Sequence, residues 1–284
     1  MDNCAGSSFL SCFNFFSQPD PTHGFVRYFN QANATAQNLF SISSDNTVTI
    51  AVDSKNVAPG GRPSVRLQSK KVYNRGLFAP GTWPSFWSWG SSATWPEHGE
   101  IDIIEGIHTS TTNAMSLHTS DGCTINGSAS RGKVVTKNCF IGAPGQTSNA
   151  GCGIESFSAK SFGSPLNDGG GGVWAVEWTE ARIGVWFFPR GEVPEGLKGG
   201  SPDPAAWGAP DANFQGDCDL GKHFIDQRFV IDTTFCGDWA GALWGSHPTC
   251  SKLAPSCADY VANNPSAFTE SFWKINSFKT FRQG

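Results

Sequence analysis

Three carboxylates stand within six residues in Glu100-Ile101-Asp102-Ile103-Ile104-Glu105, with Gly106 behind them. Two acids flanking a glycosidic bond are the equipment for its hydrolysis, one as nucleophile or base and one as proton donor. A third acid between them also has a use. Like charges at close range cannot all ionise, so a proton is shared and the pKa values spread apart. Asp102 is thus expected to hold Glu100 and to help keep Glu105 protonated. The isoleucines favour an extended, half-buried strand, in which Glu100 and Asp102 share one face and Ile101 and Ile103 the other. Strict alternation would send Glu105 to the isoleucine side. One extra residue, a β-bulge around Ile103-Ile104, restores it to the face of the other two acids. The competing reading, a surface strand with solvated acids, fits poorly with isoleucines on one face and Trp83, Trp87, Trp89 and Trp95 crowding the approach. The ends of the motif lie roughly 13 Å apart along a strand, and the side chains can lean to either separation, so spacing leaves the stereochemistry open.

The elements that must position this strand are other strands. Asn46 to Asp53 alternates, with Val48, Ile50 and Val52 on one face, and Ser64 to Lys71 does the same, with Val65 and Leu67 inward and Arg66 on the other side. Further strand signals fall at Asn113 to Thr119, Val173 to Trp178, Arg182 to Phe188, Gln227 to Thr234 and Phe272 to Phe281, with turn residues between them. Helical periodicity is scarce; the best case, Cys257 to Asn264, is short and is stopped by Pro265. Many strands and almost no helix predict an all-β sandwich or barrel. There is no internal repeat and no linker that would divide 284 residues, so one domain over 1–284 is expected. The glycine-rich run Asp168 to Gly172 lacks the Gly-Lys-Ser/Thr of a phosphate loop.

Composition narrows the partner. Charged residues are 15% of the chain against roughly 25% in an average soluble protein. Aromatics reach 13%, with 11 tryptophans, and the net charge is -4. This excludes a nucleic-acid partner, which needs clustered Lys and Arg, and suits a neutral ligand such as a sugar. No apolar run approaches the ~20 residues of a membrane helix. Nine cysteines and the sequons Asn33-Ala34-Thr35 and Asn126-Gly127-Ser128 point to a secretory compartment. No Cys-x-x-Cys or Cys-x-x-His spacing suggests a metal, so disulfides are expected, and no metal or cofactor. The expected pairs are Cys250–Cys257 around a short loop, Cys218–Cys236 across a strand, and Cys123 with Cys139 or Cys152. The odd cysteine is then Cys4 or Cys12. The opening Met1-Asp2-Asn3-Cys4 does not read as a signal peptide.

The hexapeptide resembles the bulged signature of glycoside hydrolase family 16, and the chain as a whole is similar to its fungal laminarinase-type members. The resemblance extends through Asp20-Pro21-Thr22-His23-Gly24, Gly81-Thr82-Trp83-Pro84, Ala114-Met115-Ser116-Leu117-His118-Thr119 and Val185-Trp186-Phe187-Phe188-Pro189-Arg190. It continues through Thr234-Phe235-Cys236-Gly237-Asp238-Trp239-Ala240-Gly241 and Asn263-Asn264-Pro265-Ser266-Ala267-Phe268. It implies a β-jelly-roll, concanavalin A-like sandwich with a concave substrate groove. It also implies endo-acting, retaining hydrolysis of β-1,3 and mixed-linkage β-1,3(4)-glucans, with Glu100 attacking the anomeric carbon and Glu105 as acid/base. The rival readings are a non-cutting glucan-binding protein, whose relatives have typically lost these glutamates, and a wall transglycosylase.

The resemblance also places sugar contacts at Trp83, Trp87 and Trp95, on the non-reducing side of the cleavage point, with Trp239 a similar candidate. Indole faces suit the C–H faces of sugar rings. It puts Arg66 in the groove lining and His118 beside the acid/base, hydrogen-bonding Glu105. Trp174, Trp178 and Trp186 lie in regular alternation and are assigned to packing. A secreted monomer acting on β-glucan is expected, with residues including the signal missing before Asp2. In family members the stretch around 73–84 is longer, so a strand near 76–81 is expected to be absent here.

Overall fold

The computed structural model describes residues 2–71 and 84–281. Trp83 and the shortened stretch at 76–81 lie outside the described residues. An eight-stranded sheet carries the acidic motif. Its strands in chain order are β1 (Phe13–Phe16), β2 (Arg66–Ser69), β3 (Ser85–Gly90), β4 (Glu100–Glu105), β5 (Ala114–His118), β6 (Lys133–Val134), β7 (Cys152–Glu155) and β8 (Gln227–Asp232). They lie in the antiparallel order β6-β7-β5-β4-β3-β8-β2-β1. Two three-stranded sheets make up much of the second layer: Gly172–Trp178 with Ile183–Pro189 and Ala212–Phe214, and Phe40–Ile42 with Val48–Ala51 and Phe272–Ile275.

The layers meet in one apolar cluster. From the large sheet come Leu67, Phe86, Ile101, Ile103, Ile104, Met115, Leu117, Ile154, Phe229 and Ile231; from the other layer come Val48, Ile50, Trp174, Val176, Val185 and Trp273. Ile101, Ile103 and Ile104 are at most 2% exposed, and burial of each contributes about 1.5–3 kcal/mol. That burial pins the register of β4, because a one-residue slip would turn the isoleucines outward and the acids inward. Trp174, Trp178 and Trp186 are buried, as packing residues should be. The helix expected from Cys257 runs to Asn263, and Ser256 caps it by accepting from the Asp259 N–H.

The cysteine pairing differs from every expected pair. The bonds are Cys4–Cys12, Cys123–Cys218, Cys139–Cys152 and Cys236–Cys257, and Cys250 is the unpaired, buried thiol. Strand register explains the longest of these links: Cys123–Ile125 pairs antiparallel with Gly216–Cys218, which sets Cys123 directly opposite Cys218. Cys257 turns to Cys236 in the small cluster that also holds Cys250. Cys4–Cys12 and Cys139–Cys152 join neighbouring cysteines, whereas the other two bonds pass over cysteines that lie between.

Candidate active site

The bulge is present and lies where the alternation required it. Ser116 faces Asp102 across β5 and β4, yet Ala114 faces Glu105, so β4 holds one residue more than its partner between those points. On its other edge Trp87 faces Asp102 while Phe86 faces Ile104. Ile103 and Ile104 both go to the core, and Glu105 emerges beside Asp102 and Glu100. Asn113 clips the irregular segment: its Oδ1 accepts from the Glu105 N–H at 2.9 Å and its Nδ2 donates to the Ile103 carbonyl at 2.7 Å. Gly106 follows because a β-carbon there would lie 2.8 Å from the Phe162 ring.

Directly opposed residues share a face, so β3 contributes Trp87 and Trp89, and β5 contributes Ser116 and His118. Trp95 Nε1 donates to Glu100 Oε2 at 2.8 Å. Asp102 Oδ2 accepts from Ser116 Oγ at 2.9 Å and lies 3.2 Å from His118 Nε2. The other ring nitrogen of His118 lies 3.1 Å from Asn149 Oδ1. His118 therefore partners Asp102, not Glu105 as expected, because its strand position brings it level with the motif's first half: it stands opposite Glu100.

This geometry orders the protons. Burial, then the charge of Asp102, pushes Glu100 up to about 8, while His118 and the Trp95 N–H pull the other way. Burial and Asp102 raise Glu105 well above the usual carboxylate range, with Glu100 adding to the push. Burial disfavours a charged His118, but its hydrogen bond to Asp102 and the nearby carboxylates outweigh that and hold it at about 9. Both ring nitrogens face acceptors, which suits an imidazolium. Asp102 and His118 then form an internal ion pair, and the two glutamates share the remaining charge as a coupled set. The indole donor favours the anion on Glu100, so of the two glutamates Glu100 has a partner placed to steady a negative charge.

Glu100, Asp102 and His118 each bring one donor atom within 4.8 Å of the others, a spacing that can hold a cation. In the arrangement seen, the His118 Nε2 is directed at Asp102 Oδ2, 3.2 Å away.

Arg66, expected to line the groove, lies beneath its surface. Its side chain is 3% exposed, and its guanidinium sits 3.6 Å from Asp20, 3.4 Å from Asp232 and under the rings of Phe16 and Trp87. It supports Trp87 from behind. Asp232 is pushed up to about 6 by burial, with Arg66 drawing it down. Trp95 and Trp239 are 37% and 39% exposed. Trp239 sits in the turn Gly237–Gly241, whose Ala240 backbone bonds His108, three residues beyond Glu105. Residue-level reading missed Asn113, Ser116, Asp20 and Asp232. Asp20 and Ser116 lay inside motifs already singled out, but only strand register reveals what they touch.

The chain belongs to glycoside hydrolase family 16: residues 13–281 match the XgeA-like catalytic domain of that family. An endo-1,3(4)-β-glucanase of Arthroderma benhamiae is 45% identical over 100% of this chain and 64% of its own length. A probable glycosidase of Schizosaccharomyces pombe is 42% identical over 98% of the chain and 67% of its own length. The chain thus spans about two thirds of these relatives. Among solved structures, an elongating family 16 β-1,3-glucosyltransferase superposes with a TM-score of 0.91 at 39% identity, covering 99% of both chains. Laminarinase 16A from Phanerochaete chrysosporium, solved with β-glucans in donor and acceptor sites, gives 0.89 at 39% identity, covering 99% of this chain and 98% of that one. The sandwich is the β-jelly roll of these proteins.

Proposed function

We propose that residues 1–284 act as one hydrolase domain that cuts β-1,3 and mixed-linkage β-1,3(4)-glucans internally, with retention at the anomeric carbon. The observation that carries this reading is the bulge in β4, which sets Glu100, Asp102 and Glu105 on one face with Trp87, Trp89 and Trp95 beside them. Glu100 attacks the anomeric carbon as its anion, the form that the Trp95 N–H favours. Glu105, held protonated by burial and by Asp102, protonates the leaving oxygen. Glu105, now a base, takes a proton from the water that releases the sugar from Glu100. Asp102 and His118 set the ionisation of both glutamates without touching the reacting atoms. No step needs a cofactor. Trp87, Trp95 and Trp239 are the sugar platforms in this reading, and a monomer secreted from the cell is its natural setting.

The named activities of the relatives support glucan chemistry, and the retaining course is that of the family. A second reading, transfer to another sugar chain, is favoured by the full-length similarity to the elongating glucosyltransferase. Both use the same acids and differ in whether water or a sugar hydroxyl meets the glycosyl-enzyme. One incubation with laminarin, followed by sizing of the products, tests both. Shorter oligosaccharides from laminarin and lichenan, with cellulose and carrageenan untouched, are the expected result. Products longer than the substrate would establish transfer, glucose alone would overturn internal cleavage, and intact laminarin would overturn catalysis.

A further inference from the structure

The face that bears the acids continues in a row with no role so far. Glu105 stands opposite Ala114, Ala114 opposite Glu155, and Glu155 opposite Lys133. Opposed residues project to one side of a sheet, so Glu155 and Lys133 share the face of the catalytic acids. Their odd-even partners confirm the assignment: Met115, Ile154 and Val134 from the same strands pack on the core. Glu155 is half-buried, and its Oε1 accepts from Thr112 Oγ1 at 2.8 Å. Two positions on, Phe157 is 49% exposed with the Arg131 guanidinium 3.7 Å from its ring centroid.

The direction of the row gives it meaning. Trp87 and Trp89 lie across β4 from Glu155, and Trp95 is bonded to Glu100. These three tryptophans therefore gather on the nucleophile's side, while the row sets out from the proton donor, past which the leaving half of the chain must exit. A side chain two strands over lies about 10 Å from Glu105, too far to touch the reacting atoms. We propose that Glu155, its carboxylate oriented by Thr112, binds hydroxyl groups of the leaving, reducing-end sugars of a neutral glucan, with Lys133 and the Phe157 ring beside it. This rests on the glucanase reading. An ionised carboxylate is an acceptor only, so it matches sugar O–H donors, and one oxygen fixed by Thr112 leaves the other for the ligand. Glu155 is a binding residue and Thr112 a positioning residue.

The test compares two substrates on the full chain: laminaripentaose, whose cleavage places sugars on the leaving side, and an aryl β-laminaribioside, which has none there. Loss of one charged hydrogen bond corresponds to about a tenfold loss in affinity. Glu155→Ala is expected to lower kcat/KM for laminaripentaose about tenfold more than for the aryl glycoside, and to lower transfer to added laminaritriose to the same extent. Glu155→Gln should give a smaller selective loss, and Thr112→Val should follow it in the same direction; thermal melts of each variant separate binding from folding. Equal changes on both substrates, or none on either, would overturn this assignment alone. A wild-type domain that neither cuts nor binds laminari-oligosaccharides would overturn the glucanase reading and this assignment with it.

Discussion

Asp102→Asn separates charge from shape at the centre of the site. The amide keeps the volume and can still accept from Ser116 Oγ, but the negative charge is gone. Glu100 sits two strand positions away, a separation of about 6.6 Å at the Cα atoms. At an effective dielectric of about 20, unit charges at that range interact by about 2.5 kcal/mol, close to two pKa units. The Asp102 charge is, after burial, the strongest influence raising both glutamates. Its removal lets both lose protons at lower pH. His118 works against part of the change, since it loses its main anchor and, once neutral, no longer draws the glutamates down. The net expectation is that the alkaline limb of kcat/KM on laminarin moves acidward by about one to two pH units, with activity at the new optimum reduced less than by Glu100→Gln. A pH–rate profile that superimposes on the wild type would refute the electrostatic role of Asp102.

Stability should also depend on pH, and the sign is fixed. His118 is raised to about 9 and Glu100 to about 8 in the folded protein, so between their unfolded and folded values the native state holds more protons than the unfolded one. Stability from these groups is complete below the unfolded values, roughly 4.5 for the glutamates and 6.5 for His118. It is lost as pH rises to 9, with His118 alone accounting for at most about 3 kcal/mol. Denaturant melts across pH 5 to 9 should therefore show a steady fall; a rise would contradict the assigned shifts. Asn113→Ala removes two hydrogen bonds at the bulge, one buried and one part-buried. It should cost about 1–3 kcal/mol in urea unfolding and lower kcat more than it changes KM, because Glu105 loses its anchor. Trp95→Phe keeps a ring but removes the donor to Glu100, so the acid limb of the rate profile should move to higher pH. An unmoved acid limb would mean that this bond does not set the ionisation of Glu100.

The site was legible where the code is local. Isoleucines on both sides of the acids announced a strand with one buried face, and three carboxylates on a strand with one irregular step demanded a bulge. What the sequence hid arrives through register. Asn113 is eight residues from Glu105 and acts only because β5 folds back on β4. His118 was placed near the acids, but its partner depended on which half of the motif it met. Arg66 alternates correctly away from Val65 and Leu67, yet Phe16 and Trp87, from β1 and β3, close over it. Cys123 and Cys218 are 95 residues apart and meet because their strands pair.

The central claim is that Glu100 attacks the sugar while Glu105 supplies the proton. A mechanism-based fluorinated laminaribioside, whose glycosyl-enzyme breaks down slowly, would trap the first intermediate. Mass spectrometry of the digested protein then locates the bound sugar on a single side chain. The account predicts a laminaribiosyl ester on Glu100 and a wild-type fold in the labelled protein. A label on Glu105 or Asp102, or turnover of the reagent with no covalent intermediate and an inverted product, would contradict it.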